Sequence, residues 1–405
     1  MATMHDVARL AQVSVSTVSY VLTGARPISQ ATRAKVLAAM AQLDYQPNAM
    51  ARGLASRRSR ILGLLLPMDE RGLGATEAAF VTGAAAAASA VGYHLVLSPV
   101  GGGGDLDELR RLASQRMFDG VVLMEVQLTD ERVDALQQAG VPLVLIGRTG
   151  DTDGLSYVDI DFEQTVREAV AHLVGLGHRQ IVYVNHSAET LASGYGPALR
   201  TRDAFVTAMT GHGLEPVMIP AQDSAAGGRA ALAAAVARAP GLTAVLAMNE
   251  TAIFGILGEL TARGLTVPDD VSVVSMVTSP QVAELATPAL TAMTSPGSAM
   301  GRIAVEALVR HLDGAGDERH QQLLPCALEI RGSTAAPRSR RPDGGADQVK
   351  RPVAARQRDD GPSEVPGSIL NEEDSNAAIP PDRRRDRPGG HRDDHRGRLR
   401  RRRQR

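Results

Sequence analysis

Tryptophan is absent from the 405 residues, aromatic side chains amount to 3%, and there is one cysteine, Cys326. A lone cysteine excludes an intramolecular disulfide framework. No stretch has the roughly 20 consecutive apolar residues of a membrane span, nor the form of a secretory leader, so a cytoplasmic protein without membrane contact is expected. Net charge is lacking too: 44 basic side chains nearly cancel 45 acidic ones, leaving −1. Apolar residues are plentiful at 43%, enough in a chain of this length for two or three domains with buried cores.

The near-zero balance hides an uneven distribution. Residues 1–60 hold eight cations (Arg9, Arg26, Arg33, Lys35, Arg52, Arg57, Arg58 and Arg60) against only Asp6 and Asp44, a net +6. Within this block Met4, Val7, Ala8 and Ala11 have the spacing of an amphipathic helix, and Thr3 with Asp6 has the form of an N-terminal capping box. Gln12-Val13-Ser14 interrupts the pattern, with Ser14 placed to cap a second helix over Val15–Leu22. Val18, Val21 and Leu22 turn inward there, leaving Val15, Ser16, Ser19 and Tyr20 on or near the outer face. Val36, Met40 and Leu43 mark a third helix opened by Ser29. Two short helices joined by so tight a turn form a helix-turn-helix, whose second helix fits a major groove. Any small helical bundle could share the pattern; a basic block confined to one small domain is what favours phosphate binding.

Tyr45-Gln46-Pro47-Asn48-Ala49-Met50-Ala51-Arg52-Gly53-Leu54-Ala55 carries a second signal. Pro47 cannot continue the preceding helix and Asn48 is a good cap, so a short helix is expected from Ala49. Alone it is too short to persist in water. An exposed Leu54 flanked by arginines suits a wedge pushed between base pairs from the minor groove, with Arg52 and Arg57 on phosphates. The alternative is an interdomain linker whose leucine packs on protein.

Asp6-Val7-Ala8, Val13-Ser14, Thr17-Val18-Ser19, Thr32–Val36, Tyr45-x-Pro47-Asn48-Ala49 and Ala51-Arg52-x-Leu54 resemble the signature of the lactose-repressor (LacI/GalR) family of bacterial transcription regulators, from residue 3 to about 334. The resemblance implies a homodimer on a near-palindromic double-stranded operator, with a hinge helix from each subunit inserting its leucine at the central step. The residues expected on DNA are Thr3, Ser14, Val15, Ser16, Thr17, Ser19, Tyr20 and Arg33 in the headpiece and Asn48, Ala51, Arg52 and Leu54 in the hinge. Two positions depart from the family. Tyr20 stands where arginine, the commonest reader of guanine, is usual, so no half-site sequence carries over. Gln12 replaces a frequent turn glycine, at a cost of about 1 kcal/mol if the turn needs positive φ.

From Ile61 the texture changes to short apolar runs alternating with helical patterns. Strands are expected over 61–66, 94–97, 120–123 and 141–146, then 180–184, 216–219, 243–247 and 271–274. Helices lie near 75–91, 105–116, 130–139, 163–176, 198–212, 224–238 and 249–263. Two successive α/β series predict two doubly wound subdomains with a ligand cleft at the strands' C-terminal ends. The fold class expected is thus an all-α helix-turn-helix headpiece (1–47), a hinge helix and linker (48–60), and an α/β core of two doubly wound subdomains (61–334), which the resemblance implies is periplasmic-binding-protein-like. By resemblance the first subdomain takes 61–158 and 291–322 and the second 159–290. Beyond Thr334 the composition collapses into Arg, Asp, Gly and Pro, and a disordered basic tail (335–405) is expected.

Tempting chemistry fails on inspection. Gly101–Gly104 follows a strand, but Asp105, Asp107 and Glu108 crowd the helix start that a phosphate would need, so a surface loop is expected. His172 and His178 lack partners at metal-ligand spacing, and no serine sits in a nucleophile elbow, so neither metal, cofactor nor catalysis is expected. Paired acids in the cleft, as a sugar-processing enzyme needs, are not found. The expected effector contacts are Arg148, Asp161, Arg200 or Arg202, Asn249 and Thr278, by resemblance or by loop position. Val274-Ser275-Met276-Val277-Thr278 stands where the family typically reads Gly-Phe-Asp-Asp, so a sugar-binding carboxylate is missing, and no aromatic platform stands near Thr76 and Glu77. The expected function is a ligand-responsive transcription regulator, a repressor, with a sugar-like or other metabolite as effector that is either not a typical hexose or, if a sugar, answered weakly; the alternative is a soluble sugar-binding protein sharing the same core.

Overall fold

The computed structural model describes residues 2–23, 26–45, 58–67, 73–100, 106–115, 117–314 and 318–338. The hinge residues Asn48, Ala51, Arg52 and Leu54, the Gly101–Gly104 loop and nearly all of the expected tail lie outside them.

The headpiece comprises α1 (Met4–Leu10), α2 (Val15–Thr23) and α3 (Gln30–Gln42). Each start has its capping group. The Thr3 hydroxyl accepts from the Asp6 N–H while the Asp6 carboxylate accepts from the Thr3 N–H, the reciprocal box expected from the sequence. Ser14 Oγ accepts from the Thr17 N–H and Ser29 Oγ from the Thr32 N–H. Between α1 and α2, Gln12 sits at φ +55°, the left-handed turn a glycine would take without strain. Val7, Val18 and Val36, one from each helix, meet fully buried, with Ala8, Ala11, Val21 and Ala39 around them. Met40 and Leu43 pack only partly against this cluster, because Ala39 takes the inner position of α3.

The core alternates strands and helices: β1 (Ile61–Leu66), α4 (Ala75–Ala90), β2 (His94–Pro99), α5 (Leu106–Ser114), β3 (Gly120–Leu123), α6 (Glu131–Gln138), β4 (Leu143–Ile146), β5 (Ser156–Ile160) and α7 (Phe162–Gly175). It continues with β6 (Ile181–Asn185), α8 (Ala188–Ala192), α9 (Gly196–Gly211), β7 (Val217–Pro220), α10 (Ala225–Arg238), β8 (Ala244–Ala247), α11 (Ala252–Ala262) and β9 (Ser272–Thr278). Last come α12 (Pro280–Leu285), β10 (Thr291–Thr294), α13 (Gly297–Leu312), β11 (Gln321–Leu324) and β12 (Ala327–Glu329). They form two six-stranded sheets ordered β11-β5-β4-β3-β1-β2 and β12-β10-β9-β8-β6-β7, parallel throughout except for the antiparallel β12 edge. Buried runs such as Gly120–Leu123 and Ala244–Ala247 occupy inner strands, covered by helices on both faces, as continuous apolar sequence demands.

The chain passes between the halves at positions that shift the expected subdomain limits. β5 keeps residues up to Ile160 in the first sheet, because Val144–Ile146 pair with Ser156–Val158. β10 pairs with β9, so the second sheet extends past residue 290 and the return to the first half falls after Thr294. β12 then crosses once more to the second sheet. The core also runs beyond Thr334: the Ala335 carbonyl accepts from Ser272 Oγ, and the Arg338 guanidinium pairs with Asp269 and Asp270.

Both halves use glycine for close helix crossings. A Cβ on Gly83 of α4 would run into the Ser298 carbonyl, and one on Gly301 of α13 into that of Phe80. Gly228 and Gly255 make the equivalent approach between α10 and α11.

Candidate DNA interface and effector cleft

In α2, Ser16 is exposed, Ser19 and Tyr20 are half-buried, and Val15 packs partly into the headpiece core. The hydroxyls of Ser16 and Thr17 lie 2.7 and 2.8 Å from Ser14 Oγ, a chain of small polar groups at the helix start. Thr3 is occupied by its cap, and Arg33 is exposed on α3. The Arg26 guanidinium lies over the Tyr20 ring, 5.3 Å from its centroid. Stacking of this kind pre-orients a cation. Arg26 is therefore a headpiece group that sequence reading valued only as charge.

The cleft is built from loops at the carboxyl ends of the strands of both sheets. Several contacts span the two halves. The loop after β3 pairs with the turn before α9: the Leu128 N–H donates to the Gly194 carbonyl and the Gly196 N–H to that of Val126, at 2.8 and 3.1 Å. Arg200 Nη2 donates to the carbonyls of Arg148 and Thr149, each at 3.0 Å. Thr76 Oγ1 of the first half donates to Glu250 Oε1 of the second at 2.9 Å.

The expected effector residues divide on inspection. Arg148 and Arg200 flank Asp159, whose side chain is 3% exposed, at 3.7 and 4.0 Å. Arg202 instead is half-exposed and pairs with Asp203 beside it, so the two arginines that sequence left tied differ in burial. Asn249 Oδ1 accepts from the Ala252 N–H, while its buried Nδ2 has no hydrogen-bond partner. Asp161 caps α7 by accepting from the Gln164 N–H, which explains it structurally. Thr278 is fully buried and its hydroxyl donates to Glu250 Oε1 at 2.5 Å.

That last contact corrects the expectation of a missing carboxylate. Glu250 Oε1 is held by Thr76, Thr278 and the Ser279 N–H, so a carboxylate reaches the place beside the β9 end from the neighbouring strand. Paired acids are present as well. The point where Gly74 would carry a Cβ is approached by Glu77 Oε2 and lies 3.7 Å from Glu250 Oε2, so two carboxylates from opposite halves converge there. Glu125, at φ +55°, adds a third, hydrogen-bonded to Tyr195. Burial, then the nearby charges of Glu125, Glu250 and Asp223, pushes the Glu77 carboxyl up to about 7. Burial likewise raises Glu125, and raises Asp159 to about 6 against the pull of the two arginines. Tyr195 supplies an aromatic ring in this region, edge-on to His186 at 5.6 Å. Glu77, Glu125, Asp159 and Tyr195 are the residues sequence reading did not assign; no local pattern marks them, since Glu77 starts a helix, Asp159 ends a strand, and Glu125 and Tyr195 come from two separate connections.

His178 bonds Thr243, Ser272 and the Ala335 carbonyl, and His172 bonds Thr334, so both serve the fold. Among the described residues no His, Cys, Asp and Glu side chains group so as to hold a metal ion, and no helix is long and apolar enough to cross a membrane.

A capped three-helix headpiece joined to two doubly wound halves around a polar cleft defines a class: a DNA-binding regulator with a periplasmic-binding-type sensor. Family models agree, matching residues 3–48 as bacterial regulatory proteins of the lacI family and 170–334 as a periplasmic binding protein-like domain. The chain is 32% identical over 336 residues to the HTH-type transcriptional regulator CelR of Thermobifida fusca, covering 82% of this chain and 98% of that protein. It is 29% identical over 337 residues to catabolite control protein A of Priestia megaterium, covering 82% and 99%. This chain belongs to the lacI family of bacterial transcription regulators. Among solved structures it resembles a CelR–cellobiose complex (31% identity, TM-score 0.63, 82% of this chain and all of the other). It also resembles a lac repressor dimer bound to operator and the anti-inducer ONPF (28% identity, TM-score 0.71, 83% and 99%).

Proposed function

We propose that this regulator is a cytoplasmic, nucleoid-associated repressor that binds its operator as a homodimer and is switched by a small effector in the cleft. The observation that carries the reading is the set of contacts between the two halves: Arg200 to the carbonyls of Arg148 and Thr149, and Thr76 to Glu250. A ligand that meets these groups better in one relative setting of the halves shifts the population of that setting, and with it the spacing of the paired hinges on DNA. On the DNA side, Ser14, Val15, Ser16, Thr17, Ser19 and Tyr20 face the groove, joined by Arg26 over Tyr20. Thr3 and Arg33 lie at the phosphates, and Asn48, Ala51, Arg52 and Leu54 act in the hinge.

The effector is not a plain hexose. Glu250 Oε1, beside the β9 end, is taken by Thr76, Thr278 and the Ser279 N–H, and the Thr278 hydroxyl is committed there, which leaves Oε2 as that carboxylate's free oxygen and an acidic rather than a neutral-sugar site. Footprinting of the gene's own promoter tests the DNA reading: a protected near-palindrome is expected, and no preference over unrelated fragments would end it. Calorimetry with neutral hexoses is expected to give no micromolar binding; such binding would overturn the effector statement.

A further inference from the structure

We propose that the effector is a hydroxylated organic amine, its ammonium held among Glu77, Glu125 and Glu250 and its hydroxyls turned to Arg148, Asp159 and Arg200. This rests on the regulator reading above and names the ligand of the same cleft.

Charge matching comes first. Arg132, the cation whose charge acts on Glu125, is already paired with Asp130 through Nε and Nη2 at 2.9 and 2.7 Å. Asp159 lies between Arg148 and Arg200, which leaves one guanidinium charge over. Against it stand Glu77, Glu125 and Glu250, with Glu77 and Glu250 converging on one point from the two halves. Like charges at such range in a partly buried site are costly, and Glu77 finds relief by holding a proton near neutrality. A cation relieves all three at once. It is not a bare metal ion, because among the described residues no three such ligands lie close enough to coordinate one. An ammonium, with three donors on a larger body, fits acids that are spread out.

A second, independent observation points to the rest of the ligand. Asp159 Oδ2, Arg148 Nη1, Arg200 Nη1 and Asn249 Nδ2 are buried without hydrogen-bond partners, and the side chain of Asp159 and all of Asn249 are more than nine-tenths buried. Buried polar atoms are nearly always hydrogen-bonded. One acceptor and three donors without hydrogen bonds, Asp159 Oδ2 meeting Arg148 and Arg200 only at ion-pair range, call for hydroxyl groups, which both donate and accept. Tyr195 ties the two sets together: its hydroxyl bonds Glu125 and stands in the fields of Glu77 and Asp159.

The test is calorimetric titration of the full chain with glucosamine, galactosamine, mannosamine and their 1-amino-1-deoxy counterparts. Each is run beside its parent hexose and its N-acetyl derivative. At least one amine is expected to bind, about tenfold or more tighter than both neutral forms, and Glu77→Gln to lose about tenfold of that affinity. Glu125→Gln is the second variant, should the first fail to fold. Overturning results are a neutral form binding as tightly as its amine, no amine binding, or amine affinity unchanged in the folded variants. Retardation of the promoter fragment by the same preparation separates the two claims. DNA preference without amine binding sinks this inference alone; its absence sinks the regulator reading.

Discussion

The headpiece takes its expected DNA-facing groups from a run of a few turns, Ser14 to Tyr20, held by caps within three residues of each helix start. The cleft draws Glu77, Glu125, Asp159, Tyr195, Arg200 and Glu250 from a strand, connections and first helical turns spread over most of the core. The headpiece block is basic, and the cleft has more carboxylates than guanidiniums. Local hydrogen bonds build one recognition surface, and the packing of distant segments builds the other. Mutations should therefore cost little and act locally in the first, and cost more and act at a distance in the second.

The largest effect expected is at a helix crossing. Gly83→Val drives a side chain into the Ser298 backbone, which cannot yield as a flexible side chain could, and should destabilise the core by about 3 kcal/mol. Urea unfolding followed by core and headpiece probes should show the loss in the core alone; an unchanged midpoint would break the contrast.

Next comes pH. Glu77 is pushed from 4.5 up to about 7 in the folded chain, so between those values the native state holds a proton that the unfolded chain has released. The group's contribution is full below about 4.5 and is lost as pH rises through about 7. Core melting temperature should fall over that window, and Glu77→Gln should flatten the fall. Asp159 and Glu125 shift in the same sense, so the variant keeps a smaller slope. An unaltered slope in a folded Glu77→Gln protein would show that Glu77 is not strained by its neighbours.

Thr3→Ala removes one arm of the capping box and should cost the headpiece about 1 kcal/mol without moving the core transition. The smallest effect has the opposite sign. Gln12→Gly relieves a left-handed turn and should raise headpiece stability by at most about 1 kcal/mol, read from the headpiece melting curve.

The same contrast explains what could be read in advance. Caps at Thr3, Ser14 and Ser29, the turn at Gln12 and the apolar runs of β1, β3 and β8 are local signals, and the structure places them as expected. Strands at the polar margins were missed: Gln321–Leu324 and Ala327–Glu329 are edges with no sustained apolar run, and Ser156–Ile160 mixes polar and apolar residues. In the cleft, Asn249 and one of Arg200 and Arg202 stood out by resemblance; that Arg200 flanks buried Asp159 while Arg202 pairs with its neighbour Asp203 is visible only in three dimensions. Glu250 was visible as a substitution, and Thr278 as another. That one holds the other, restoring a carboxylate from a different strand, is a fact of three-dimensional neighbourhood with no trace in spacing.

The chain returns to described structure at Arg58, and its first three residues there are moored firmly. Asp119, just before β3, accepts from the Ser59 N–H and hydroxyl and from the Arg60 N–H, and Arg58 bonds Asp313 and the carbonyl of Leu312 at the end of α13. Slack at this junction would let a tilt of the core dissipate before it reached the nucleic acid. With five bonds at the mooring, Arg58, Ser59 and Arg60 are fixed to the first half, so any tilt of that half would carry this point of departure with it.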